Sequence, residues 1–249
     1  MQSKTNQTEF VLGFHAAKEV LEAKQVVYQA YLQKGLTSKR MQNFIEQLNR
    51  ARIPISEQSK KELDHYAMGM NHQGVILEVE PYVYQSVDFI LNKAKEKQED
   101  PFLIILNNIE DPHNLGSILR TADASGVHGV IIPKHRSASV TASVLKTSTG
   151  AAYHVPIARV TNLTQTIDDL KKKGVWVFGT DMKGQSLWEM DAALPLAIVI
   201  GNEGKGLSRR VKQHLDGMLT IPMRGHVQSL NASVAAALMM YEVYHRRSL

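Results

Sequence analysis

The sequence contains no cysteine. That excludes disulfides, thiolate-bound zinc, cysteine-ligated iron–sulfur clusters and every cysteine-nucleophile mechanism. Long apolar runs are missing too, since no stretch approaches the roughly 20 residues of a membrane-spanning helix. The opening MQSKTNQTEF is polar where a secretory leader has an apolar core. A cytoplasmic chain with no membrane partner is therefore expected. The 10 histidines are scattered, with no H-x-H or H-x-x-x-H pair, so no metal is expected.

What is present is an ordinary globular composition over 249 residues, enough for one large or two modest domains. The net charge is +5. The basic excess sits beyond residue 100, where Lys205, Arg209, Arg210 and Lys212 lie close together. Such a balance suits a polyanionic partner.

Residues 1–81 read as a small α/β unit. HAAKEVLEA (15–23) and RMQNFIEQLNRA (40–51) have helical apolar spacing, and QGVILEVE (73–80) is a strand that Pro81 ends. Residues 82–100, which finish in the charged NKAKEKQED, read as a linker with helical character. From Pro101 to the end, strands alternate with helices. The strand candidates are 102–109, 128–133, 154–160, 175–180, 196–201 and 217–222, and helical segments include 163–173 and 231–247. Near-continuous apolar strands alternating with helices predict an α/β domain with a buried, mostly parallel sheet. Ligands of such sheets bind beyond the carboxyl ends of the strands.

Three strand-end loops carry the polar residues. The first, NNIEDPHNLGSILRTADASG, offers Asn114 as a helix cap, Gly116 for close backbone approach, and Arg120 in the first turns of a helix. The second, VIGNEGKGLSRRV, begins at Val199 and is rich in glycine. It is not a phosphate-binding P-loop, because Leu207 stands where the phosphate-reaching lysine must be and Glu203 would repel a polyphosphate. Its glycines also fail the G-x-G-x-x-G spacing of a dinucleotide site. A tight turn carrying one carboxylate remains. The third, IPMRGHVQSLNASVAAA, sets Ser229 and Asn231 at the start of the last helix, followed by small alanines. Thr180 ends the fourth strand. This set lacks a nucleophile–base pair and suits a reaction whose hard chemistry resides in a bound cofactor.

Read together, NNIEDPHNLGSILRTADASGVHGVIIP, IVIGNEGKGLS and IPMRGHVQSLNASVAAA resemble the three motifs of the SpoU (TrmH) family of S-adenosylmethionine-dependent RNA ribose 2′-O-methyltransferases. The similarity spans residues 101–249, in family order and spacing. GFHAAKEVL and HQGVILEV look like an RNA-binding domain resembling ribosomal protein L30e, and the layout is most similar to the RlmB type, which methylates a guanosine of 23S rRNA. The resemblance implies a deep trefoil knot in the C-terminal domain, a homodimer, and RNA binding by residues 1–81. It assigns S-adenosylmethionine to Thr180, Gly201, Ile221, Met223 and Leu230. Asn114, Arg120, Glu203, Ser229 and Asn231 match the polar catalytic positions, and no metal takes part. His226 has no family role. The family's motif arginine is cast as the base, but arginine stays protonated at neutral pH, so Arg120 is expected to hold phosphate and steady the developing oxyanion while the proton leaves to phosphate or water, with Glu203 as a second candidate base. Transfer RNA or another ribosomal nucleotide is the alternative substrate. A non-catalytic RNA-binding protein that retains the fold is a rival reading. A small-molecule α/β enzyme is another, but it leaves the N-terminal domain unexplained.

Overall fold

The computed structural model describes residues 8–226 and 229–248, so the first seven residues of the expected N-terminal domain, and Val227 and Gln228 of the third motif, lie outside the described residues. The chain divides into two compact units, up to Val83 and from Tyr84 onward.

The first unit runs β1 (Glu9–Leu12), α1 (Phe14–Glu22), β2 (Val27–Gln33), α2 (Lys39–Arg50), β3 (Ile55–Gln58), α3 (Lys60–Ala67) and β4 (Val75–Val79). Its sheet has the order β1-β4-β2-β3, with β4 antiparallel to both neighbours and β3 parallel to β2. Val75, Ile76, Leu77 and Val79 of β4 are all fully buried, so both faces of this strand are covered. The helices form where capping and apolar spacing agree. Ser38 accepts the Met41 amide to start α2, whose Met41, Phe44 and Leu48 turn inward, and Ser59 with Glu62 makes a capping box for α3.

The second unit holds α4 (Val87–Glu96), β5 (Phe102–Leu106), α5 (Pro112–Ala124), β6 (Gly129–Pro133), α6 (Ala142–Thr147), β7 (Ile157–Val160), α7 (Leu163–Lys172), β8 (Trp176–Ser186), β9 (Leu196–Ile200), α8 (Arg209–Lys212), β10 (Gly217–Thr220) and α9 (Ala232–Arg247). The sheet order is β10-β8-β9-β5-β6-β7, and every pairing is parallel. All residues of β5 and β9 are buried, as expected for central strands with helices on both faces. Apart from Ala197, each such side chain contributes about 1.5–3 kcal/mol relative to exposure.

Three local expectations are corrected. Residues 82–100 are not simply a linker. Ser86 caps α4, Ile90 and Ala94 are fully buried, and Val87 and Leu91 pack on the same core as Leu103, Ile105 and Ile131. The apolar spacing 87, 90, 91, 94 is helical, and the charges occupy the solvent side. Asn114 does not cap α5. Asp111 does, accepting the His113 amide at 2.9 Å, and Pro112 takes the first helical position. Arg120 accordingly falls in the third turn of α5, not the first turns.

Strand β8 outruns its prediction. Its ladder with β10 pairs Gly179 with Met218 and then Gln185 with Leu219, so residues 180–184 leave the ladder as a bulge. That bulge forms one wall of the site.

Candidate active site

The carboxyl ends of β9 and β10, the β8 bulge and the start of α9 enclose a cavity of about 670 Å³. That is a size typical of cofactor pockets. Thr180, Gly201, Ile221, Met223 and Leu230 all line it, together with Glu203 and Ser229. The five residues expected to hold a cofactor are thus gathered around one space.

The glycine loop is held as a tight turn. Asn202 Oδ1 accepts the amides of Gly204 (3.0 Å) and Lys205 (3.2 Å), and the Gly206 amide closes back on the Asn202 carbonyl at 2.8 Å. A Cβ on Gly201 would stand 2.7 Å from the Gly206 carbonyl carbon, closer than packing allows. A side chain there would force the two limbs of the loop apart. Asn202 Nδ2 donates to the Asn108 carbonyl at 3.3 Å, and the buried Asn107 side chain accepts the Ser208 amide at 3.4 Å. These asparagines dock the loop on the end of β5.

Beside the cavity the three motifs meet at one carboxylate oxygen. Glu203 Oε1 accepts Asn114 Nδ2 at 2.7 Å, Asn231 Nδ2 at 2.9 Å and the Ala232 amide at 3.2 Å. Asn231 Nδ2 also reaches Asn114 Oδ1 at 3.0 Å, while its own Oδ1 caps α9 through Ser233 and Val234. The carboxylate sits at the N-terminus of a long helix, where the helix dipole favours negative charge.

The remaining two polar candidates stand apart from this cluster. Ser229 lines the cavity without joining the hydrogen bonds, and Arg120 is exposed on α5. Around Glu203 the geometry gives a positioned acceptor and a rigid loop; at Arg120 it gives a guanidinium presented to solvent.

Two features escaped the sequence reading. Asn202 was legible as an Asn two residues before a glycine, a common turn signal. The ion pair between Asp181 and Lys212, both on the cavity wall, had no local signal, because it depends on the β8 bulge meeting α8. The Lys212 ammonium holds the Asp181 carboxyl below the usual carboxylate range. Among the described residues no group of three or more metal-binding side chains lies together, and no helix is long and apolar enough to cross a membrane.

Comparison with known proteins agrees along the chain. Residues 101–241 match the SpoU rRNA methylase family, and residues 10–85 match the RNA 2′-O ribose methyltransferase substrate-binding family. YacO of Bacillus subtilis (strain 168), assigned by name to the TrmH family of tRNA/rRNA methyltransferases, is 45% identical over 245 residues, 98% of each chain. Among solved structures, the SpoU methyltransferase AviRb from Streptomyces viridochromogenes, in complex with the cofactor AdoMet, aligns with a TM-score of 0.65 at 27% identity. That alignment covers 97% of this chain and 91% of that one. A structure described as an RNA 2′-O ribose methyltransferase aligns at 0.61 and 25% identity, over 98% and 91%. The chain belongs to the SpoU/TrmH family of RNA methyltransferases.

Proposed function

We propose that this protein transfers a methyl group from S-adenosylmethionine to the ribose 2′-hydroxyl of a guanosine in 23S rRNA. The observation that carries the reading is the convergence of Asn114, Glu203 and Asn231 beside a cavity lined by Thr180, Gly201, Ile221, Met223 and Leu230. The lining suits S-adenosylmethionine. Gly201 and Gly206 bring bare backbone close, Leu219, Ile221, Leu230 and Met239 give apolar surface for an adenine, and Thr180 and Asp181 give polar atoms for hydroxyl or ammonium groups. When bound, the cofactor supplies an already activated methyl group.

The chain's own residues then have to position and deprotonate. Holding reactants in alignment is worth up to roughly 7–11 kcal/mol. Glu203, with one oxygen accepting three N–H donors, locks the glycine loop to α5 and α9 and serves as a positioning residue. Arg120, exposed on α5, offers its planar fork to a phosphate and to the oxyanion developing at O2′. The hydroxyl proton leaves to phosphate or water.

The rest of the reading is of the same standing. Residues 1–81 bind the RNA and resemble ribosomal protein L30e, and residues 101–249 form the knotted methyltransferase domain. A homodimer is supported by α9, which leaves Val234, Leu238, Tyr241 and Tyr244 exposed in an apolar stripe. A cytoplasmic location accords with a ribosomal RNA substrate.

The test is tritiated methyl transfer to unmodified 23S rRNA and transfer RNA transcripts, followed by mapping of the labelled ribose. Label on a 23S guanosine is expected. Label on transfer RNA moves the protein to the alternative substrate, and cofactor binding without label in any RNA favours a non-catalytic RNA-binding protein.

A further inference from the structure

The loop that leaves β6 lies at the same carboxyl end of the sheet as the Asn114–Glu203–Asn231 cluster. Lys134, His135 and Arg136 are exposed, whereas Ala138 and Val140 a few residues on are buried. The loop is fastened at both sides. The Lys134 amide donates to the Val160 carbonyl at 2.8 Å, and Arg159 Nη2 donates to the Lys134 carbonyl at 3.3 Å. At the far side the Ala138 amide donates to the Ile109 carbonyl at 2.8 Å, so the loop crosses to the exit of β5, just before α5 and Asn114. The Val140 amide donates to the Tyr84 hydroxyl at 2.9 Å, and the Arg159 guanidinium stands 5.4 Å from the centre of the same ring.

The charges of this loop are unused. Lys171, Lys172, Lys173 and Lys212 of this unit each meet an aspartate. Among the described residues the side chains of Lys134, His135 and Arg136 have no such partner. Arg136 also adopts φ +56°, a left-handed conformation that is costly for a residue with a side chain. A braced loop that presents cations unpaired, next to the reacting end of the sheet, fits a polyanion.

We propose that Lys134 and Arg136, braced by Arg159, hold the phosphodiester backbone of the RNA beside the ribose to be methylated. This surface rests on the RNA-methyltransferase reading and adds to it a contact made by the catalytic unit itself. Each cation contacting a single-stranded phosphate releases a counterion and contributes about 0.7 to the slope of log affinity against log salt.

The test is the full-length Lys134→Gln/Arg136→Gly double variant. Glycine accepts the left-handed backbone at position 136, so the loop is kept while its charges are removed. Binding to unmodified 23S rRNA and transfer RNA transcripts is measured across a salt series, with S-adenosylmethionine affinity and melting temperature as controls. The expected result on the RNA that wild type methylates is about 10-fold weaker binding, with a slope shallower by about 1.4. Cofactor affinity and melting temperature stay near those of the wild type. An unchanged affinity and slope in a variant whose wild-type parent methylates the same transcript overturns this proposal alone. A wild-type chain that methylates neither transcript overturns the RNA-methyltransferase reading, and this proposal with it.

Discussion

Glu203 is the residue at which a base and a scaffold give opposite predictions. Its Oε1 already accepts from Asn114, Asn231 and Ala232. A glutamine keeps a carbonyl oxygen there, while an alanine strands the donors of buried Asn114 and Ala232 and leaves exposed Asn231 its bond to Asn114, at about 1–3 kcal/mol for a buried unsatisfied group. Glu203→Gln should therefore melt near wild type and keep its single-turnover rate within about 10-fold. Glu203→Ala should lose stability, cofactor affinity and rate together. Equal, near-complete loss of rate in both variants would make Glu203 the base. Arg120 poses the complementary question. It is exposed, and its fork rather than its charge is what the proposed role uses. Arg120→Lys should cost on the order of 10²–10³ in single-turnover rate, the usual effect of losing one preorganised oxyanion donor. Cofactor affinity should hold, because the cavity lining does not include Arg120. A lysine variant near the wild-type rate would remove Arg120 from the chemistry. Both residues were visible in the sequence because each sits in a motif that resembles the family's, although Arg120 lies in the third turn of α5 and not at its loop.

Elements were legible where their signals were local. The alternation from Phe102 onward carried enough buried β-branched residues to predict a parallel sheet, and Asn231 preceding small alanines marked the start of α9. Where the cause was remote, the reading failed. The β8 bulge is a shift of register against β10, a strand distant in sequence, and α4 reads as a linker because its charged face is the conspicuous one. A third example couples the entry of β5 to the exit of α9. Buried His128 accepts the Phe102 amide on Nδ1 at 3.0 Å and donates from Nε2 to Glu99 at 2.9 Å, while Arg247 donates to the carbonyls of Asp100, Ala192 and Leu194. Burial pushes the His128 pKa below its ordinary value, only partly offset by Glu99. The unfolded chain takes up a proton as pH falls below about 6.5 and the folded one resists, so stability is lost from that pH downward until the folded histidine also titrates. His128→Gln removes this titration. Its melting temperature should sit below wild type at pH 7.5, and the gap should narrow by pH 5.5. A gap independent of pH would mean that His128 does not titrate differently on folding.

At the scale of the whole chain, the two family matches fall on the two compact units, and the proposed function gives RNA selection to the first and cofactor binding to the second. The cavity and all three motifs belong to the second unit. Its lower limit is set by packing. Ile90 of α4 is fully buried on the core that includes Leu103, Ile105 and Ile131, so a fragment beginning at Pro101 discards part of that core. Loss of a buried isoleucine alone costs about 2–5 kcal/mol, which in a unit of this size lowers the melting temperature by roughly 5–20 °C. A fragment beginning at Tyr84 keeps α4 whole. It should fold, bind S-adenosylmethionine within a few-fold of the full chain by calorimetry, and lose most methyl transfer to RNA at sub-saturating concentrations. The fragment from Pro101 should melt well below it. Equal melting of the two fragments would show that α4 adds nothing to the second unit. Full methyl transfer by the longer fragment would show that the first unit does not select the RNA, and would leave the Lys134–Arg136 loop and Arg120 as the contacts that do.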